Sequence, residues 1–518
     1  MAAGALIVML VGGLGFALTR PATVHPRLET GARDRVGVLD PVTVVFDRTI
    51  NPATARVWVS PRAQVSVKRS AGALRITPRE PWQPSMMYTI LLTGITGPGD
   101  KPIPRWTATF VTQPPIEVTF VADGHPVSGQ AALSPSAKLS ILFSATMKVD
   151  RTEVSWNGKL LPPNVLTWAR DHRSLQLAMP AQLPYTPGVL AVPTAETTAG
   201  FQLSPAAQVS LATLALEPAN STSGIGPGWQ TQSPSMIVVE NAPPARPQSG
   251  LQGADIVFEY LSEYQTTRMT AIYFNKPPSS VGPVRSCRPI NLYLGFAFDG
   301  HTLCTGASAG TLHYLWLPGH TVPGIMWDWE PRGQHFTTSP SRAAPHQVYT
   351  SGDLAGKLRS EQPVPPAQYM VDPPHPDNNQ GAPAGGPQVP LHSVSWQYDG
   401  ASKTYLRSDH GSAFTDTLSG QLQAKNVVVM QVPFHDSGWV EDDNGGAHSV
   451  WYTMLGAGPA DVYSDGKVIH GAWHMGQNPN QDYYSNNQPV WFTDEAGHLI
   501  RLNTGLTWIH VVGQGQTS

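Results

Sequence analysis

A chain of 518 residues is too long to close around one hydrophobic core, so about three or four domains are expected. Its 50 prolines and 48 glycines, set against 13% charged residues, favour many turns and short strands over long charged helices. A formal net charge of -3 leaves no basic stripe able to neutralise many phosphates, which excludes nucleic acid as a partner.

The first element is the apolar run Ala2–Leu18, with no charge before Arg20 and no Lys or Arg ahead of it. Its length falls between a secretory core and the shortest spanning helix. Residues 1–20 are read as a signal anchor or signal peptide. That puts the rest of the chain on the outer face of a cell membrane, or outside the cell if the segment is cleaved. No cysteine lies near Arg20 to carry a lipid.

From 36 to 113 short alternating runs follow one another: "PVTVVFDRTI", "RVWVSP", "ALRITP", "MMYTILLTGI" and "WTATFVT". Pro, Gly, Asn and Asp separate them at the spacing of a β-sandwich. The stretch resembles the bacterial Ig-like domain of surface-layer proteins, through Phe46, "INPAT", Tyr88 and Phe110. A weaker copy runs from 116 to 213, with Phe143 and Met147 in the corresponding strand and turn and "SLQLAMPAQLPYTPGVLAV" echoing "ALRITPREPWQPSMMYTILL". Two such sandwiches beyond a membrane segment serve most simply as a stalk. The Ser/Gly/Pro-rich residues 214–235 read as a linker.

After the linker the charges carry the argument. "ADIVFEYLSE" and "TTRMTAIYF" read as two strands joined by a tight turn at Tyr264 and Gln265, with Asp255, Glu259 and Glu263 on one face. A helix would also stripe these acids, at i, i+4 and i+8. Three carboxylates so placed repel, and Arg246, Arg268, Arg285 and Arg288 are the cations at hand. The cluster is either a closed ion-pair lock on strand register, an open ligand site, or simply solvated. Cys287 and Cys304 flank a short helix and strand, so they form a disulfide or stay as two buried thiols. Without a CxxC pair they make no zinc site.

The same residues carry a second resemblance. "ENAPPARPQSGLQGADIVFEY", "TTRMTAIYF", "GPVRSCRP" and "RAAPHQVYTSG", followed by "VSWQYDGASKTYLRS", "LQAKNVVVMQV" and "LIRLNTGLTWIHVV", are similar to the YerB-like family of bacterial envelope lipoproteins. The resemblance spans about 230–515 and implies an envelope-attached protein, with no established reaction. It implies ligand-site candidates at Arg246, Gln248, Asp255, Glu259, Glu263, Arg268, Arg285, Ser286, Arg288 and His346. Family members anchor through a lipidated cysteine; here the apolar run has that task.

Residues 361–390 are dense in Pro and Gly and divide this region into lobes at 236–360 and 391–518. "HDSGWVEDDNGGAH" offers His435, Asp436, Glu441, Asp442, Asp443 and His448, but not the spacing of an EF-hand, and reads as an exposed acidic hairpin loop. Tyr314, Trp316, Trp327 and Trp329 are core, or a platform at a cleft mouth. Neither metal nor cofactor is expected.

The expected architecture is multidomain: two all-β Ig-like sandwiches followed by a two-lobed α+β domain. The expected role is binding or scaffolding at the cell wall, modulating peptidoglycan assembly, with a cell-wall polymer or envelope protein as partner. The alternative is a hydrolase or transferase on wall glycan or peptide that uses the Glu/Arg/His cluster, with Ser286 or His346 in the chemistry.

Overall fold

The computed structural model describes residues 23–31, 34–135, 137–179, 182–184, 186–213, 233–263, 266–317, 320–321, 323–331, 333–364, 376–389, 393–442, 445–476 and 489–514. The apolar run at 1–20, most of the linker, Tyr264, Gln265 and the middle of the Pro/Gly-rich loop lie outside them. Among the described residues no helix is long and apolar enough to cross a membrane. The protein is mainly β, with several sheets and few helices. Two compact units are present: the first draws on 1–129, 138–178 and 189–210, the second on 130–137, 179–188 and 211–518.

In the first unit the alternating runs are strands. Val42–Phe46 and Ala73–Pro78 belong to a four-stranded sheet, and Arg56–Ser60, Met87–Thr93 and Trp106–Val111 form a three-stranded one. Period-two alternation sends Val42, Val44, Tyr88, Ile90 and Leu92 into one shared core. Trp82, Tyr88 and Phe110 meet there with ring centroids 4.9 to 5.5 Å apart. Their polar atoms are satisfied locally: Trp82 Nε1 donates to the Asp40 carbonyl at 2.9 Å, and the Tyr88 hydroxyl accepts from the Gln83 amide at 3.0 Å. Farther along, Leu139–Phe143 and Ser174–Leu177 alternate likewise. Val118–Ala122 and Ser174–Leu177 flank Leu139–Phe143, all antiparallel, and Phe143 stacks on Trp168 at 5.6 Å.

In the second unit one twelve-stranded sheet dominates. Its order is Gly324–Met326, His301–Cys304, Ser235–Glu240, Thr266–Tyr273, Ile256–Glu263, Thr507–Gly513, Asn426–Val432, Gly456–Ser464, Lys467–Met475, Trp491–Asp494 and Leu499–Ile500, with Ala382–Pro383 beside Lys467–Met475. Strands of the expected lobes at 236–360 and 391–518 share this sheet. Thr507–Gly513 is buried along its whole length and lies parallel to both Ile256–Glu263 and Asn426–Val432, so it joins the two halves of the region into one sheet. A strand apolar on both faces needs neighbours on both edges, and these come from opposite sides of the Pro/Gly-rich loop.

The sheet has a core on each face. Ile256, Phe258 and Tyr260 pack with the helix Ile290–Phe298 on one side. Val257 and Trp508 pack with Trp396 and the helix Gly352–Glu361 on the other. Cys287 and Cys304 are joined by a disulfide, Cα atoms 5.6 Å apart, with the Ile290–Phe298 helix between them in sequence. The hairpin Phe434–Asp442/Ala447–Tyr452 forms the acidic segment, but Glu441 is not exposed on it. Its side chain is 1% accessible and accepts from Ser308 Oγ at 2.7 Å and Thr311 Oγ1 at 2.6 Å.

Candidate ligand-binding site

The hairpin expected from the sequence is present, since Ile256–Glu263 pairs antiparallel with Thr266–Tyr273. Its three acids do not share a face. A register shift between Leu261 and Glu263 inserts one extra residue, and a bulge of that kind reverses the alternation beyond it. Glu259 therefore points to the Trp508 side, while Glu263 turns toward Arg268 and Arg288. Asp255 lies just before the strand and accepts from the Phe274 amide at 2.8 Å, closing the far end of the hairpin.

The four arginines serve four different carboxylates. Arg268 NH2 reaches Glu263 Oε1 at 3.0 Å and Arg288 Nε donates to Oε2 at 2.7 Å. Arg288 also approaches Glu441 at 3.4 Å, so two cations and two anions form a closed, neutral quartet. Arg246 NH1 donates to Asp409 at 2.8 Å, and Arg285 lies 3.4 Å from Glu240. Gln248 is fully buried and donates to the Glu240 carbonyl and to Asn241 Oδ1. Glu259 takes none of the four; its cation is Arg407, at 3.0 and 3.1 Å, with both side chains 0% accessible. Glu259 and Glu263 thus belong to two separate internal pairs, which burial requires because an unpaired buried charge is costly.

Burial alone raises the Glu263 carboxyl, but the charges of Arg268 and Arg288 and the hydrogen bond from Arg288 outweigh it and hold the group at about 2 instead of 4.5. Its folded value is depressed, so it contributes stability above pH 4.5 that is lost as pH falls toward 2. The full shift corresponds to roughly 3 kcal/mol, and about 2 kcal/mol remains after allowance for partial solvent screening. Acid titration of urea stability from pH 5 to 2 should show that loss, and Glu263→Gln should be less stable at pH 6 and flatter over the same window. An unchanged slope in the variant contradicts the assignment.

Glu240 anchors a further, partly accessible set of charges. Glu240 ends the strand Ser235–Glu240, which runs parallel to His301–Cys304, itself parallel to Gly324–Met326. Crevices outside the carboxyl ends of parallel strands are where ligands of open sheets bind. The segment carrying Arg285 crosses these ends: the Glu240 amide donates to the Pro283 carbonyl, the Arg285 amide to Val238, and the Thr305 amide to Arg285. Ser286 is half-buried, with its Oγ 3.4 Å from Thr305 Oγ1.

Glu240 is 4% accessible at its side chain, and both of its oxygens are engaged. Oε1 faces Arg285 Nε at 3.4 Å, and Oε2 accepts from His346 Nδ1 at 2.8 Å. A carboxylate only accepts, so the proton of a neutral imidazole sits on Nδ1 and the Nε2 lone pair faces away. Arg285 is 30% and His346 20% accessible. Arg342 holds the His346 loop down by donating to the carbonyls of Pro244 and Pro247, both at 2.8 Å. Asp328 follows the Gly324–Met326 strand; burial raises its carboxyl and Arg285 opposes the rise. It lies so close over Gly306 that a Cβ there would stand 2.4 Å from Asp328 Oδ2. Next to it Trp329 is 56% exposed, whereas Tyr314 stacks on Trp439 and Trp327 packs edge-on against Phe336. The side chain of Trp316 lies outside the described residues.

Sequence reasoning named Arg285 and His346 but not Glu240, the carboxylate that orients both. The signal was available in "VVENAPPAR", a lone acid at the end of an apolar strand. Among the described residues no group of three or more His, Cys, Asp or Glu side chains is placed to hold a metal ion.

Comparison with known proteins gives matches across the second unit. Residues 222–363 match the N-terminal domain and residues 388–509 the C-terminal domain of a protein family of unknown function, DUF3048. The chain is 30% identical over 290 residues to "Putative lipoprotein YerB" of Bacillus subtilis, covering 54% of this chain and 81% of that one. The crystal structure of the Bacillus subtilis YerB protein aligns at 26% identity and a TM-score of 0.45, over 56% of this chain and 93% of the other. The N-terminal part of the bacterial S-layer protein SbsC aligns at 11% identity and a TM-score of 0.17, over 37% and 44%.

Proposed function

The chain belongs to the YerB-like DUF3048 family, and from that premise we propose that it is an extracytoplasmic envelope protein that binds or scaffolds at the cell wall. The envelope placement is supported by the name lipoprotein borne by its Bacillus subtilis relative. A disulfide fits an oxidising compartment. In this reading residues 36–113 and 116–213 are Ig-like modules that act as a stalk, and residues 1–20 attach the chain to the membrane.

The observation that carries the binding role is the partly accessible Arg285/His346 pair gathered at buried Glu240 by the strand ends, whereas the pairs of Glu263 and Glu259 are closed inside the protein. The same dyad favours one second reading, hydrolysis of a wall glycan or peptide, because Nδ1 bonded to a carboxylate leaves Nε2 oriented as a base.

The test incubates the full chain with purified peptidoglycan and measures both retention and soluble product. Retention without product is expected, reduced about tenfold in Arg285→Gln, the loss of one charge-assisted contact. Product that disappears in His346→Ala replaces binding with hydrolysis. An absence of retention refutes the wall reading.

A further inference from the structure

We infer that the Glu240–Arg285–His346 crevice is a site for a single carboxylate group, and that the imidazole of His346 takes up a proton when that anion binds. The inference rests on the reading of this crevice as the ligand site and names the chemistry it accepts.

Three observations carry it. The first is the unused donor capacity. Arg285 spends only its Nε on Glu240, at 3.4 Å, and among the described residues its two terminal nitrogens and His346 Nε2 hydrogen-bond to nothing. A guanidinium fork matches the planar pair of oxygens on a carboxylate. The second is orientation. Buried Glu240 fixes the His346 ring by a hydrogen bond at 2.8 Å and draws Arg285 Nε to its other oxygen as an ion pair at 3.4 Å, so both side chains gather at one anchored carboxylate.

The third is charge. Around the crevice Glu240 and Asp328 are negative, Arg285 and Arg342 positive, which sums to zero with a neutral imidazole. Tyr349 also faces it; burial raises its phenol and Arg342 opposes the rise, so it stays uncharged. Arg268 is close enough to influence Arg285's surroundings, but it belongs to the neutral quartet with Arg288, Glu263 and Glu441. His346 is the imidazole of this set, and an imidazole exists either neutral or protonated. Protonated, it brings one positive charge and turns Nε2 from acceptor into donor. One proton therefore makes room for one negative charge. A monoanionic carboxylate fits, with Arg285 taking it bidentate and His346 Nε2–H donating to it, whereas a phosphate dianion exceeds the available charge. A peptide C-terminus is the polymer-borne form of this group.

The probe is N-acetylalanine, a soluble monocarboxylate, with inorganic phosphate as the comparison. Affinity for the full chain is measured by calorimetry from pH 6 to 8, and proton uptake by repeating the titration in two buffers of different ionisation heat. Because one proton is coupled to one ligand, the dissociation constant should rise with pH, by up to about tenfold per unit. Arg285→Gln should bind at least about tenfold more weakly at each pH, and His346→Gln weakly with no slope. Thermal melting of both variants identifies any that misfold, in which case the wild-type slope alone decides. No binding of N-acetylalanine, binding without a pH slope, or tighter binding of phosphate overturns the inference. If peptidoglycan retention persists while saturating N-acetylalanine neither binds nor competes, this inference fails and the wall reading stands. If N-acetylalanine binds with the slope but peptidoglycan is not retained, the wall reading fails and this one stands.

Discussion

Arg407→Met should destabilise the second unit by about 3–5 kcal/mol, the largest single-substitution effect expected outside the apolar core. Arg407 is wholly buried, its Cζ 3.6 Å over the Phe414 ring and 5.0 Å from Trp508. It faces Glu259, which also accepts from Thr267 Oγ1 at 2.9 Å, Asn241 Nδ2 at 3.2 Å and Trp508 Nε1 at 2.9 Å. His510 completes the ring: its Nε2 accepts from Trp396 Nε1 at 2.9 Å, which puts the imidazole proton on Nδ1, 3.6 Å from Glu259. Removing the guanidinium leaves a carboxylate in a dry site with only neutral donors. Burial pushes the Arg407 guanidinium down, with Glu259 and Asp409 opposing, so the cation in turn depends on its anions. Glu259→Gln should accordingly cost about 3 kcal/mol by stranding the opposite charge.

The double variant Glu259→Gln/Arg407→Met distinguishes a pair from two independent contacts. It should lose less than the sum of the single losses, with a coupling of about 1–3 kcal/mol. Urea denaturation followed by tryptophan fluorescence measures it, since Trp508 and Trp396 both touch the site. Additive losses, or an Arg407→Met cost below about 1 kcal/mol, contradict a buried ion pair.

This pair also marks where sequence reasoning ended. Glu259 and Arg407 are 148 residues apart and belong to segments either side of the Pro/Gly-rich loop, so no local period relates them. Arg268 and Arg288 lie 5 and 25 residues from Glu263, and proximity in the chain was enough to suggest them as partners. The bulge that sends Glu263 to the opposite face from Glu259 left no signal in the residue types, because "YLSEYQTT" alternates acceptably in either register. Half-buried strands were legible for the opposite reason. In "VTVVF" and "MYTILLT" the pleat itself writes core and solvent into alternate positions. Fully buried strands such as Thr507–Gly513 carry no such alternation, and so neither their neighbours nor the single sheet through both halves followed from pattern. The site divides the same way: Arg285 and His346 stood out by type, while Glu240 offered only its place as the lone acid closing a uniformly buried strand.

Removing the disulfide is the second large effect expected. The cystine closes a 17-residue separation between Cys287 and Cys304, and loop-closure entropy for that length gives about 3 kcal/mol in favour of the bridged chain. Both cysteines are fully buried beside Val238, Leu292, Leu315 and Met326, so Cys287→Ala/Cys304→Ala also leaves a small apolar void and the loss should reach about 4 kcal/mol. Cys287 directly precedes Arg288, whose NH1 donates to the Cys287 carbonyl at 2.8 Å, and the Cys287 amide donates to the Gly306 carbonyl under Asp328. The bridge therefore fixes the segment that carries Arg285 against the strand end that supports Asp328. Reduction under native conditions should weaken N-acetylalanine binding at the crevice as well as lower the melting temperature, read by calorimetry and thermal unfolding on the same sample. A variant that melts early yet binds with unchanged affinity separates the two roles and confines the disulfide to stability.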